Sequence, residues 1–144
     1  MPEDHSFVPK PWSGTDEPAR EWLYNTGSLE QALAHGELFW PNFVEHDDCV
    51  FLSLDLEKYQ SWMTALEGNQ ARVEAVLNHR HIADLFENTE LASHDWLINL
   101  GRKLKQCWAA KLQLDFPERH FEVQFEERRS PAATDYEITF FQPR

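Results

Sequence analysis

The sequence predicts an α+β fold: about five helices packed on one face of a small antiparallel sheet that includes a C-terminal β-hairpin. Three observations carry this expectation. Apolar residues recur at three- and four-residue spacing through several early and middle segments. Two late segments alternate strictly, Phe121, Val123 and Phe125 in one and Tyr136, Ile138 and Phe140 in the other. The hairpin is too marginal to stand alone, so its apolar face calls for helices packed against it. With 144 residues, 42% of them hydrophobic, and six Trp, the chain is long enough to bury a sizeable core. The expected organisation is an extended arm over residues 1–14 and one globular domain over 15–144.

In the arm, Pro2, Pro9 and Pro11 oppose helix, while Phe7, Val8 and Trp12 offer apolar anchors. Thr15 or Asp16 with Pro18 in the first turn opens a short helix through Trp22 and Leu23, ending before Gly27. Ser28 and Gln31 then read as a capping box for a second helix, with Leu29, Ala32 and Leu33 as its stripe and Gly36 as its stop. Residues 49–54 are rich in strand formers and apolar on both sides, which suits a covered strand. This strand is a candidate third member of the C-terminal sheet. Asp55 caps a helix carrying Leu56, Tyr59, Met63 and Leu66, which ends at Gly68 and Asn69. A further helix begins near Gln70 with Val73, Val76 and Leu77 inward. Ile82, Leu85 and Phe86 fall out of phase with it, so the helix breaks around residues 78–80.

The longest helix is expected from about Ser93 to Leu112, spanning roughly 30 Å at 1.5 Å per residue. Leu97, Leu100, Leu104, Trp108 and Lys111 share its apolar face, the Lys stem extending the stripe while its head reaches water. Pro117 ends that region. The two alternating segments then form an antiparallel hairpin around a loop containing Arg128, Arg129, Ser130 and Pro131. A lone hairpin is marginal in water, so its apolar face needs the helices.

Charge and cysteine content narrow the function classes. The formal net charge is −12, and residues 1–100 carry net −13 while residues 101–144 carry net +1. Such a balance repels phosphate backbones and anionic membranes and attracts cationic partners; general nucleic-acid binding would need a basic stripe, and only Arg102, Lys103, Lys105 and Lys111 approach one. The longest apolar run is four residues, too short for a membrane-spanning helix, and the first residues lack the pattern of a signal peptide. Two cysteines cannot form a disulfide framework, and the expected compartment is the cytoplasm.

Chemistry is suggested at three places. His79 and His81, with Asp84 three residues later, offer ordinary ligands for zinc or another divalent transition metal. Two His separated by one residue point about 200° apart on a helix but to the same side of an extended segment. They converge on one ion only if the helix breaks there. The competing reading is a helix-capping His beside a solvated one. His35, Glu37, His46, Asp47 and Asp48 form a second polar group able to complete such a site, or simply a polar turn before an apolar run. Cys49 and Cys107 sit among apolar positions, where unreactive thiols are found, and there is no nucleophile elbow, phosphate loop or dinucleotide fingerprint.

The third place is an interaction surface. Phe39, Trp40 and Phe43 crowd around Pro41, flanked by Glu45, Asp47 and Asp48. Aromatic anchors ringed by carboxylates suit a basic, partly apolar protein, the rings giving affinity and the charges steering approach. Equally, these rings can plug the core where a loop crosses it.

The leading expectation is therefore a non-catalytic acidic binding module, of the inhibitor, immunity or adaptor kind, that engages a basic protein and needs no cofactor. The alternatives are a small metal-dependent hydrolase built on His79, His81 and Asp84 with one divalent ion such as zinc, and a structural subunit of a larger assembly.

Overall fold

The structure, a computed structural model, describes residues 16–85, 94–127 and 135–144. The expected arm, the continuation of the middle stripe to Phe86 and the hairpin loop over 128–131 lie outside the described residues. Within them the elements run α1 (Pro18–Thr26), α2 (Leu29–Phe39), β1 (Val44–His46), β2 (Cys49–Phe51), α3 (Leu56–Ala65), α4 (Gln70–Leu77), β3 (Arg80–His81), a 3-10 turn (Ile82–Leu85), α5 (His94–Asp115), β4 (Glu122–Phe125) and β5 (Glu137–Phe141). This is the expected α+β architecture, five helices against small antiparallel sheets with a C-terminal hairpin of β4 and β5.

Local signals set most of the boundaries. Pro18 occupies the first turn of α1, where its missing amide costs nothing, and Gly27 closes the helix by donating to Leu23 O at 2.9 Å. Ser28 caps α2 by accepting from the Gln31 amide at 3.1 Å. α2 does not stop at Gly36 but continues to Phe39. A helical glycine costs about 1 kcal/mol relative to alanine, too little to end a helix whose last turn is anchored. The anchor is Leu38, whose carbonyl accepts from Trp108 Nε1 at 3.0 Å, together with Phe39 packed on the core. Pro41 then forces Trp40 out of helical geometry, to φ −130° and ψ 66°.

Asp55 caps α3 by accepting from the amides of Glu57 and Lys58. Gly68, at φ 75°, reverses the chain and donates to Met63 O, and Asn69 caps α4 by accepting from Arg72 N.

The strand pairing corrects one expectation. Residues 49–51 form a fully buried strand, but β2 pairs with β1 and not with the C-terminal hairpin. Asp47 and Asp48 both adopt positive φ, 49° and 65°, in a two-residue turn that matches strand twist and closes the pair locally at small entropic cost. The third strand of the C-terminal sheet is β3, giving the order β3-β5-β4 with Arg80 opposite Ile138, His81 opposite Glu137, and Phe125 opposite Ile138 on the other side.

α5 covers the apolar face of this sheet. Leu97, Ile98, Leu104, Trp108 and Leu112 join Phe125, Tyr136, Ile138 and Phe140 in one buried cluster. Cys49, Phe51, Tyr59 and Val73 form a second cluster where the β1–β2 hairpin meets α3 and α4. Lys111 buries its stem and pairs its ammonium with Asp115, also lying 5.8 Å from the centre of the Phe43 ring. Among the described residues, no helix is long and apolar enough to cross a membrane.

Candidate metal centre

The break after α4 creates the most organised group of ligand-type side chains. Asn78 ends the helix at φ −89°, ψ −3°, and is fully buried. Its side chain is shared among backbone groups: Nδ2 donates to Val50 O at 2.9 Å and Phe140 O at 3.3 Å, and Oδ1 accepts from Leu52 N at 2.9 Å. The chain then leaves into β3, and alternation from His79 through the strand brings the imidazoles of His79 and His81 together while Arg80 turns away. The Arg80 guanidinium donates back to Leu77 O at 3.1 Å and His79 O at 2.8 Å, and burial pushes its pKa down from the usual arginine value.

Glu137 comes from the neighbouring strand. It lies opposite His81 in the antiparallel register and diagonal to His79. His79 Nε2 is 3.1 Å from Glu137 Oε2, and His81 Nδ1 is 3.5 Å from Glu137 Oε1. The imidazole rings meet edge to face with centroids 4.7 Å apart. One ligand atom from each of the three residues lies within 4.8 Å of the others. The two imidazoles are 35% exposed and the carboxylate 46%, so the group faces solvent. Of the three, His79 and Glu137 line a concavity of about 500 Å³, bordered also by Thr139, Gln124, Glu122, Glu126 and Lys105.

Two imidazoles and one carboxylate are a donor set of catalytic zinc sites, which hold the ion with three protein ligands and leave a fourth position open. The expectation of a protein without a cofactor is corrected by this cluster, which is consistent with a divalent metal site. The carboxylate that joins the two imidazoles is Glu137. Asp84, which the sequence offers as third ligand, projects from the 3-10 turn at an exposed position and is not in the group. The turn rotates Asp84 away from the β3 side chains, whereas strand pairing brings Glu137 across. Alternation of Tyr136, Ile138 and Phe140 already placed Glu137 on the solvent face of its strand; which strand would lie beside it was not written locally.

The other polar group is used differently. His46 Nε2 lies 3.3 Å from Asp47 Oδ2, which also accepts from the Tyr59 hydroxyl at 3.1 Å. Backbone oxygens of Asp47 and Asp48 accept from Gln70, Gln142 and Arg144, so the turn locks the hairpin to α4 and the C-terminal segment. Neither His35 nor Glu37 joins a ligand group among the described residues. Cys49 is fully buried, and burial, reinforced by Glu74, pushes its thiol up to about 11, which keeps it protonated and unreactive at neutral pH.

The aromatic loop divides. Phe43 packs between the rings of Phe140 and Phe116, at centroid distances of 5.4 and 6.4 Å, and Phe39 is half-buried against the main core. Trp40 remains 44% exposed, and Glu45 pairs with Arg119 at 3.5 Å. No family model, curated protein or solved structure matches this chain.

Proposed function

We propose that this protein binds one divalent transition-metal ion, zinc by donor type, through His79, His81 and Glu137, and that the centre serves metal-dependent hydrolysis. The observation supporting this reading is the convergence of three ligand atoms within 4.8 Å, from β3, the residue before it and the paired strand β5, beside an open concavity. A divalent cation held by three protein ligands supplies a Lewis acid and an activated water at neutral pH. The chain supplies the rest. The β3–β5 register fixes the separation of the donors; Asn78, which donates to Phe140 O at 3.3 Å, and the Thr139 hydroxyl, which donates to Ala75 O at 2.6 Å, hold β5 to the end of α4; and the concavity admits a polar substrate.

The test is metal content of full-length protein prepared without chelator, with zinc titration of the stripped protein by calorimetry. Near one equivalent, and a melting temperature that falls on chelation, is the expected result. Zinc-loaded protein should then hydrolyse members of a panel of nitrophenyl esters and phosphates, with activity lost in the His79→Ala/His81→Ala variant. No zinc uptake at micromolar concentrations removes the metal centre; uptake without hydrolysis of any class removes the hydrolase and leaves a metal-binding protein.

A further inference from the structure

The outer face of α2 is apolar, acid-flanked and uncovered. Leu29, Leu33 and Trp40 are 77%, 64% and 44% exposed, and α2 contains no fully buried residue. Their spacing is that of a coiled-coil seam. Leu29 and Leu33 stand four residues apart on α2, Gly36 takes the next seam position, and Trp40, seven residues past Leu33, caps the helix in non-helical geometry at the end of the stripe. A Cβ added at Gly36 would meet nothing within 4 Å, so the seam is open there and lets another backbone approach closely. Glu30 and Glu37 follow the seam on one side, again seven residues apart, and neither has an ion pair among the described residues. The helix has no Lys or Arg.

We infer that this face docks a basic amphipathic helix of a partner protein, with Leu29, Leu33 and Trp40 as the apolar seam and Glu30 and Glu37 pairing with the partner's Lys or Arg. Leucines exposed in a row on one side of a helix offer apolar area that a partner helix's apolar face can bury. Charge decides which partner. Flanking carboxylates at the positions that read across a helix pair select a basic helix and reject an acidic one. A second copy of this chain brings only Glu to that flank, so an antiparallel pair would set like charges together. The seam shares no residue with the His79, His81 and Glu137 group, and the inference does not rest on metal binding.

The probe is a Leu/Lys peptide of about four helical turns with Leu at the seam positions, against a Leu/Glu peptide of the same pattern and a Leu/Lys peptide of scrambled pattern. Binding to the full chain is followed by peptide fluorescence anisotropy at low and moderate salt. The patterned Leu/Lys peptide should bind at least about tenfold more tightly than either control, and more weakly as salt rises. Leu29→Gln/Leu33→Gln should abolish the preference, and Glu30→Lys/Glu37→Lys should reverse it toward the Leu/Glu peptide. Both variants alter exposed side chains, and an unchanged melting temperature confirms the fold. Equal binding of the three peptides, or binding indifferent to both variants, overturns the inference. So does concentration-dependent dimerisation lost in Leu29→Gln/Leu33→Gln, which assigns the face to a second copy. Binding seen only in a Phe7→Ala/Trp12→Ala chain overturns it too, making the chain's own N-terminal residues the occupant.

Discussion

The Asn78 carboxamide pairs with Val50 as a neighbouring strand would: its Nδ2 donates to Val50 O at 2.9 Å while its Oδ1 accepts from Leu52 N, the next inward amide of the same segment. β2 borrows from this side chain the hydrogen bonds that its edge lacks. The same Nδ2 reaches Phe140 O, so one fully buried amide joins the β1–β2 hairpin, the end of α4 and β5, immediately before the first imidazole of the candidate site. Removing a buried side chain that satisfies three backbone groups leaves those groups unpaired. Asn78→Ala is expected to destabilise the fold by about 2–4 kcal/mol, measured as a shift in the urea midpoint at unchanged slope. Asn78→Asp should be at least as damaging, because a carboxylate cannot donate to the two carbonyls. A change near zero in either variant would show that water replaces the amide.

The proposed metal site makes a second prediction, one that separates Glu137, which meets the imidazoles, from Asp84, which is near them only in sequence. Glu137→Gln is expected to weaken zinc binding by at least about tenfold, while Asp84→Asn leaves it unchanged. Calorimetric titration of stripped protein reads both. Because imidazole ligates only when neutral, binding should also release protons and weaken as the pH is lowered. Equal losses in the two variants would place Asp84 at the ion after all.

Gly101 carries a third. It sits under the ring of Phe125, and a Cβ built there would overlap the ring carbons. α5 and β4 approach this closely only because the side chain is absent. Gly101→Ala is expected to destabilise by about 1–3 kcal/mol despite the higher helix propensity of alanine. Phe125→Leu in the same chain should recover part of the loss. A more stable Gly101→Ala protein would show that β4 is free to move away from the helix.

Alkaline pH provides the fourth. Burial and nearby carboxylates raise the Cys49 thiol to about 11, and burial with the Asp47 hydrogen bond raises the Tyr59 hydroxyl to about 12. Both groups bind their protons more tightly folded than unfolded, so their contribution is complete below the unfolded values. It is lost as pH rises from about 9 toward 12. Unfolding free energy should fall across that interval, by an amount on the order of 2–3 kcal/mol for each group. Cys49→Ala should flatten the fall between pH 9 and 11. An unchanged slope would assign alkaline unfolding to other groups.

Much of the secondary structure was legible in the sequence because its causes are local. Ser28 and Asp55 cap the helices that follow them, Pro18 and Gly27 bound α1, and the alternation through Phe121–Phe125 and Tyr136–Phe140 marks the hairpin strands. Gly36 was misleading for a related reason: its propensity is local, whereas the hydrogen bond from Trp108 to Leu38 that carries α2 past it comes from a helix 70 residues away.

The candidate site was half legible. A phase break after Leu77 and the one-residue spacing of His79 and His81 are sequence facts, and together they require the imidazoles to share a side once the segment is extended. Choosing Glu137 over Asp84 depends on register, a long-range pairing of β3 with β5 across 56 residues, set by burying Ile138 and Phe140 under α5. Likewise Phe43 and Trp40 are neighbours in composition, yet only the packing of Phe116 and Phe140 decides that the first is core and the second faces water. The sequence by itself determined which segments coil, which extend and where ligand-type side chains are concentrated. The tertiary structure alone decided which of them meet, because a strand's period fixes the side from which its side chains project but not the strand they face.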